Sequence, residues 1–174
     1  MVKSSWLLVT LALLSAPALA DEARQEIPSA FFIAKSENKN QVHFAVAVDG
    51  QCAPLGDAPV RPYWRMIEKG PGINEPLLAR EQRAYGVASQ QVLARRADGG
   101  SVRLTLNAVA GRAVTVDTTR QADGTCASVA HMTIASQSGR LQYVYVRLKL
   151  MGVDYLLLVG KDDAGAELKE RIEG

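Results

Sequence analysis

Val42-His43-Phe44-Ala45-Val46-Ala47-Val48 decides the fold class. Val42, Phe44, Val46 and Val48 alternate with His43, Ala45 and Ala47, a two-residue period that sends the large apolar side chains to one face of an extended strand. The period recurs where Val102, Leu104 and Leu106 alternate with Arg103, Thr105 and Asn107, and where Val114 and Val116 alternate with Thr115 and Asp117. Such alternation marks antiparallel strands with one face packed and the other wet. Ala97-Asp98-Gly99-Gly100 and Ala110-Gly111-Arg112 are turn-forming breaks between them. Further strands are expected at Phe31 to Ala34, Tyr63 to Glu68, Val87 to Arg95, Ala127 to Ala135, Leu141 to Leu150 and Val153 to Val159, which makes about nine. The expected fold is mainly β, an antiparallel barrel or a two-layer sandwich with one packed helix.

That helix is expected over Pro76 to Tyr85, with Asn74 and Glu75 near its start and Gly86 just past its end. Leu77, Leu78, Ala84 and Tyr85 share one face, with Glu81 in its middle. Two readings of Glu81 stand side by side: a carboxylate reaching solvent from a partly buried face, or a buried one paired with Arg65 or Arg147. The unbroken apolar run Tyr155 to Val159 predicts a strand covered on both sides, and the helix is its expected cover. The charged stretch Glu167 to Glu173 reads equally as a last strand or a short helix.

The chain opens with an address. Lys3, the apolar run Trp6 to Leu14 and the small residues of Ala18-Leu19-Ala20 fit a secretory signal peptide over residues 1–20. The run is too short to span a bilayer, and no transmembrane anchor is expected. The 174 residues less these 20 leave 154, read as a single β-rich domain over 21–174. The 20 basic residues less Lys3 leave 19 against 18 acidic ones. Nucleic acid is therefore not an expected partner, since neutralising phosphates takes a concentrated positive field.

Cys52 and Cys126 are the only cysteines, each two residues beyond an Asp-Gly, and in an oxidising compartment they read as one disulfide. A thiol nucleophile or a metal-ligand role is the alternative. His43 and His131, the only histidines, would serve a metal site only if their strands were neighbours. No metal and no cofactor is expected, because the chain holds no nucleophile elbow, zinc-binding helix, Walker loop or dinucleotide turn. Glu68 and Glu81 are the best nominal carboxylate pair for glycoside cleavage and mark a possible buried or acidic site. On Leu141 to Leu150, Val144, Val146, Leu148 and Leu150 form one face, while Tyr143, Tyr145, Arg147 and Lys149 project from the other. Two rings followed by two cations suit a flat ligand bearing an anionic group, or else ordinary cross-strand packing beneath the helix. Trp64 and Met66 share a face of another strand and suit either an apolar pocket or the core.

Phe31-Phe32-Ile33-Ala34-Lys35-Ser36 with Asn38 and Asn40, Tyr63-Trp64 with Glu68-Lys69-Gly70, Ala84-Tyr85-Gly86, and Gly160-Lys161-Asp162 with Gly165, Glu167, Glu170 and Arg171 form an ordered series across nearly the whole mature chain. The series resembles a family of exported bacterial proteins, domain of unknown function 4833. The resemblance implies one domain and brings no activity or catalytic residue with it. The expected function is an extracytoplasmic, non-enzymatic binding or interaction domain whose partner is a small molecule, a glycan or an envelope protein. An envelope hydrolase using paired carboxylates and a structural partner-binding subunit are the competing classes. The periplasm is the expected compartment, with full secretion as the alternative.

Overall fold

The computed structural model describes residues 25–150 and 152–174; the signal segment lies outside the described residues. Twelve strands follow in chain order: β1 Gln25–Ile27, β2 Phe32–Lys35, β3 Asn38–Val48, β4 Val60–Arg65, β5 Asn74–Pro76, β6 Val87–Arg96, β7 Gly99–Leu106, β8 Val109–Arg120, β9 Cys126–Ile134, β10 Gln137–Lys149, β11 Gly152–Lys161 and β12 Glu167–Glu173. A 3-10 turn, Ile67–Lys69, follows β4, and one α-helix, α1 (Ala79–Tyr85), follows β5. The three strands beyond the expected nine are β1, β5 and β12. The first two are three residues long, too short to show a period, and the third is the charged tail, which is a strand. Among the described residues no helix is long and apolar enough to cross a membrane.

All twelve strands join one mixed sheet whose main path runs β5-β4-β3-β2-β10-β9-β8-β7-β6, with β11 and β12 beyond β10 and β1 on β3. The organiser is β10. Its first residues pair antiparallel with β9, Arg140 opposite His131, and its later ones pair parallel with β2, Tyr143 opposite Phe32. Since β11 runs beside both stretches, β9 and β2 must share the other edge of β10, end to end. The sheet divides there into two lobes that fold face to face, a sandwich and not a closed barrel. One lobe is β5-β4-β3-β2 with β11 and β12; the other is β9-β8-β7-β6.

The alternating positions of both lobes meet in one core. Val42, Phe44 and Val46 of β3 pack in the same cluster as Val102 and Leu104 of β7 and Val114 and Val116 of β8. Phe31 stacks on Phe44 with ring centres 4.5 Å apart. Glycine is needed where the lobes crowd: a Cβ at Gly160 would sit 2.5 Å from the Arg140 carbonyl and 2.6 Å from Ile134.

Side-chain ties also close the sandwich away from β10. Cys52 and Cys126 form a disulfide, Cα atoms 5.5 Å apart, linking the β3–β4 loop to β9. Thr118, fully buried on β8, donates its hydroxyl to the Cys52 carbonyl at 2.7 Å. The Gln90 carboxamide on edge strand β6 acts as a peptide group for β4: its Oε1 accepts from the Val60 N–H at 2.9 Å, and its Nε2 donates to the Val60 carbonyl at 3.2 Å. Side chains thus bridge the gap that a barrel would close with backbone.

The helix departs from its expected place. Asn74–Pro76 is extended and pairs with β4, so α1 begins only at Ala79. It lies beside Trp64, whose ring meets Tyr85 edge-on at 5.9 Å, and does not cover β11. The apolar run of β11 has another cause. Leu156 packs against the core and Leu158 is buried in it, while Leu157, half-buried on the outer side, lies between Tyr145 of β10 and Arg171 of β12. Lateral neighbours, and no overlying helix, fill that side.

Candidate functional site

A cavity of about 400 Å³ opens on the inner side of β4, between the β2–β3 turn, the β4–β5 loop and the start of α1. Trp64, 7% exposed, belongs to its floor, with Met66, Pro76 and Leu78 as further apolar lining. Lys35 reaches over the indole, its ammonium 5.2 Å from the ring centre, within cation–π range. Asn38 and Asn40 come from the start of β3, and Glu75 and Glu81 complete the polar lining.

Glu81 has a partner, and it is not an arginine. Its Oε2 accepts from the Trp64 indole N–H at 2.9 Å and from the Leu78 backbone N–H at 2.8 Å. The second bond explains the sequence locally, since the third helical residue returns its carboxylate to the first orphan N–H of the helix. Burial alone would raise the pKa of Glu81. The Leu78 and Trp64 hydrogen bonds and the charges of Arg80 and Lys35 outweigh that and hold it below the ordinary carboxylate value. Both bonds use Oε2, leaving Oε1 as a charged acceptor without a partner among the described residues.

Glu68 is not with Glu81. It sits exposed on the 3-10 turn, accepting from the Lys39 N–H at 3.2 Å while its own N–H donates to Asn40 Oδ1 at 3.1 Å. The reading of Glu68 as a buried acidic group is corrected: a surface turn leaves its carboxylate in water. Glu75 is the second carboxylate of the cavity, and Lys69 already holds it at 2.6 Å. Lys35, Asn38 and Asn40 were legible as a resemblance and not as a site, for nothing in their own spacing marks them as converging on an indole. Among the described residues no group of three or more His, Cys, Asp or Glu side chains is placed to hold a metal. His43 on β3 and His131 on β9 belong to different lobes.

Tyr143, Tyr145 and Arg147 lie on the outer face of the same lobe, on the other side of the sheet from Trp64. There a row of side chains crosses six strands in register: Pro76, Tyr63, His43, Phe32, Tyr143 and Val159. Phe32 stacks on His43 at 5.3 Å and on Tyr143 at 5.4 Å, and His43 tilts against Tyr63 at 5.7 Å. Rings that stack on one another present edges outward and keep their faces occupied, so this row is a poor platform for a sugar ring. Tyr145 leans on Tyr155 at 6.4 Å, and the Arg171 guanidinium covers Tyr155 at 3.9 Å. Burial lowers the His43 pKa to about 4, helped by the charge of Arg65. Leu150 does not continue the apolar face of β10: it is 99% exposed at the β10–β11 turn, beyond the last core layer.

A family profile described as a domain of unknown function, DUF4833, matches residues 31–171. The chain belongs to DUF4833. No curated protein matches the chain, and no solved structure does. In this DUF4833 chain, three of the segments that carry the resemblance meet around one cavity: Lys35, Asn38 and Asn40 from the first, Trp64 from the second, and Tyr85 against Trp64 from the third. The fourth runs along β11 and β12, where Glu170 makes a two-point ion pair with Arg112 of β8 and accepts from the Ala135 N–H at 2.7 Å. That segment fastens the lobes together.

Proposed function

We propose that this DUF4833 chain is a non-enzymatic binding domain that works outside the cytoplasm, in the periplasm, and takes a small polar organic molecule into the Trp64 cavity. One observation carries the reading. Segments far apart in the chain bring an indole, an ammonium, two carboxamides and an ionised carboxylate with a spare oxygen to a single opening. An apolar floor with a few convergent polar groups is the usual make-up of a ligand site. The Cys52–Cys126 bond supports an oxidising compartment. Against the hydrolase reading, a general acid must hold a proton near neutral pH, and Glu81 is held in the opposite sense, while Glu68 points elsewhere.

In a chain beginning at Asp21, Trp64 is the sole tryptophan, so its fluorescence reports on the cavity directly. Titration with panels of sugars, amino acids and nucleotides is expected to find a class that shifts the Trp64 emission, and Lys35→Ala is expected to abolish the response while leaving the fold intact. Native mass spectrometry of protein purified from the extracytoplasmic fraction should show the same class retained. A bare mass together with silent titrations would sink the proposal. A second reading, a partner-binding subunit, is favoured by the ring row from Tyr63 to Tyr143, with Tyr and Arg being residues common at interface hot spots.

A further inference from the structure

Five large apolar side chains are exposed among the described residues, and three of them, Ile67, Ile73 and Leu150, lie on turns at one end of the molecule. Register establishes that common end. Arg65, Gln41, Ala34, Tyr145, Leu157 and Arg171 form one row across six strands. Ile67 follows Arg65 beyond it, Ile73 accepts at its carbonyl from the Met66 N–H at 2.8 Å, and Leu150 follows the last residue of β10, past Tyr145. Of the other two, Leu78 lines the Trp64 cavity beside this end, and Leu93 is on β6 of the other lobe.

The charges at this end are asymmetric in how they are used. Its carboxylates are committed internally: Glu37 to Lys35 at 3.2 Å, Glu75 to Lys69 at 2.6 Å, Glu173 to Arg171 at 2.6 Å, and Glu68 to the Lys39 N–H. Asp154 lies in the field of Arg171. Lys39, Arg65, Arg147 and Lys149 have no carboxylate at ion-pair distance among the described residues, although Lys149 feels Glu173. Side chains that protrude from turns differ from the flush ring row on the sheet. A protruding leucine enters a soft phase, whereas flush rings suit a rigid partner.

We propose that this turn-bearing end, with Leu150 at its tip and Arg147 and Lys149 directly behind, docks on an anionic lipid surface. Leu150 enters the headgroup and acyl boundary, the two cations meet lipid phosphates, and Tyr145 and Tyr155 come to rest at interfacial depth, where tyrosine is favoured. The docking is independent of any ligand in the Trp64 cavity.

Vesicle flotation of the full chain tests this, using pure phosphatidylcholine and an equal mixture of phosphatidylcholine and phosphatidylglycerol. Binding is expected on the mixed vesicles at low salt, with release at high salt. Leu150→Glu should lower partitioning roughly ten-fold or more, and Lys149→Gln about five-fold. Leu93→Glu, at a half-exposed leucine on the other lobe, should change nothing. Circular dichroism checks each variant, and Leu150→Ser replaces Leu150→Glu if the latter is misfolded. Wild-type protein that ignores both vesicles overturns the proposal and leaves this end to an acidic protein partner. Equal binding to neutral vesicles, or equal loss in Leu93→Glu, overturns it as well.

Discussion

The two lobes bury the same kind of side chain and expose different ones. On the lobe of β6 to β9, the outer row reads Gln91, Arg103, Thr115 and His131, and nearby Ser89 and Thr105 share a hydroxyl hydrogen bond at 2.7 Å. That is the ordinary wet face of an antiparallel sheet. The equivalent row on the other lobe is Tyr63, His43, Phe32 and Tyr143, ring beside ring. A sandwich needs only its inner faces apolar, so the polar row shows what folding requires, and the ring row is an addition to it. Some of that addition stabilises the sheet through cross-strand stacking, and the rest is available for recognition.

The largest effect is expected where the lobes are tied. Cys52→Ser combined with Cys126→Ser should lower unfolding free energy by about 4 kcal/mol, read by chemical denaturation in oxidising buffer; a loss below about 1 kcal/mol would mean that core packing alone sets how the lobes meet. Gln90→Ala should cost about 2 kcal/mol, because both polar groups of buried Val60 lose their partner. No change there would show that water replaces the carboxamide and that the β4–β6 gap is open.

A pH effect belongs to the ring row. His43 is neutral in the folded chain down to about pH 4 and takes up its proton near pH 6.5 when unfolded. Below pH 6.5 the unfolded state therefore binds more protons, and stability falls as pH drops from about 6.5 to about 4. Discounted for partial exposure, the loss is about 1–2 kcal/mol. His43→Phe should keep the stack and flatten that part of the profile, and an unchanged slope would place the titration elsewhere. The smallest effects separate the faces themselves. Tyr145→Ala with Arg147→Ala should cost about 1 kcal/mol and leave the chain folded, whereas Thr115→Ser on the polar row should stay within about 0.5 kcal/mol. If the first pair unfolds the protein, the ring face is structural and the comparison fails.

Much of the site escaped the sequence for a reason that Glu81 illustrates. Its place amid Leu77, Leu78 and Tyr85 showed that it needed a partner, but a helical projection says nothing of which strand the helix will lie beside, and Arg65 and Arg147 were as plausible on that ground as Trp64. Asn38 and Asn40 open the strand just after a turn and look like any turn amides until β4 is laid against β3. Leu150 looked like a fourth core position after Val144, Val146 and Leu148, because the period of two does not say where the core ends.

The features legible along the chain are local: the alternation at Val42 to Val48 and Val102 to Leu106, the breaks at Asp98-Gly99 and Gly111, and a cysteine pair whose two members had only each other. These follow from φ/ψ preferences and from which side of a strand can be wetted, and neighbours a few residues away are enough to express them. It took the assembled sheet for β10 to serve two strands on one edge, for the sandwich to stay open and be bridged by Gln90, and for Lys35, Trp64 and Glu81 to share a cavity. Those outcomes depend on contacts between residues dozens of positions apart, and such pairings are selected by how the whole sheet packs, which no local pattern contains.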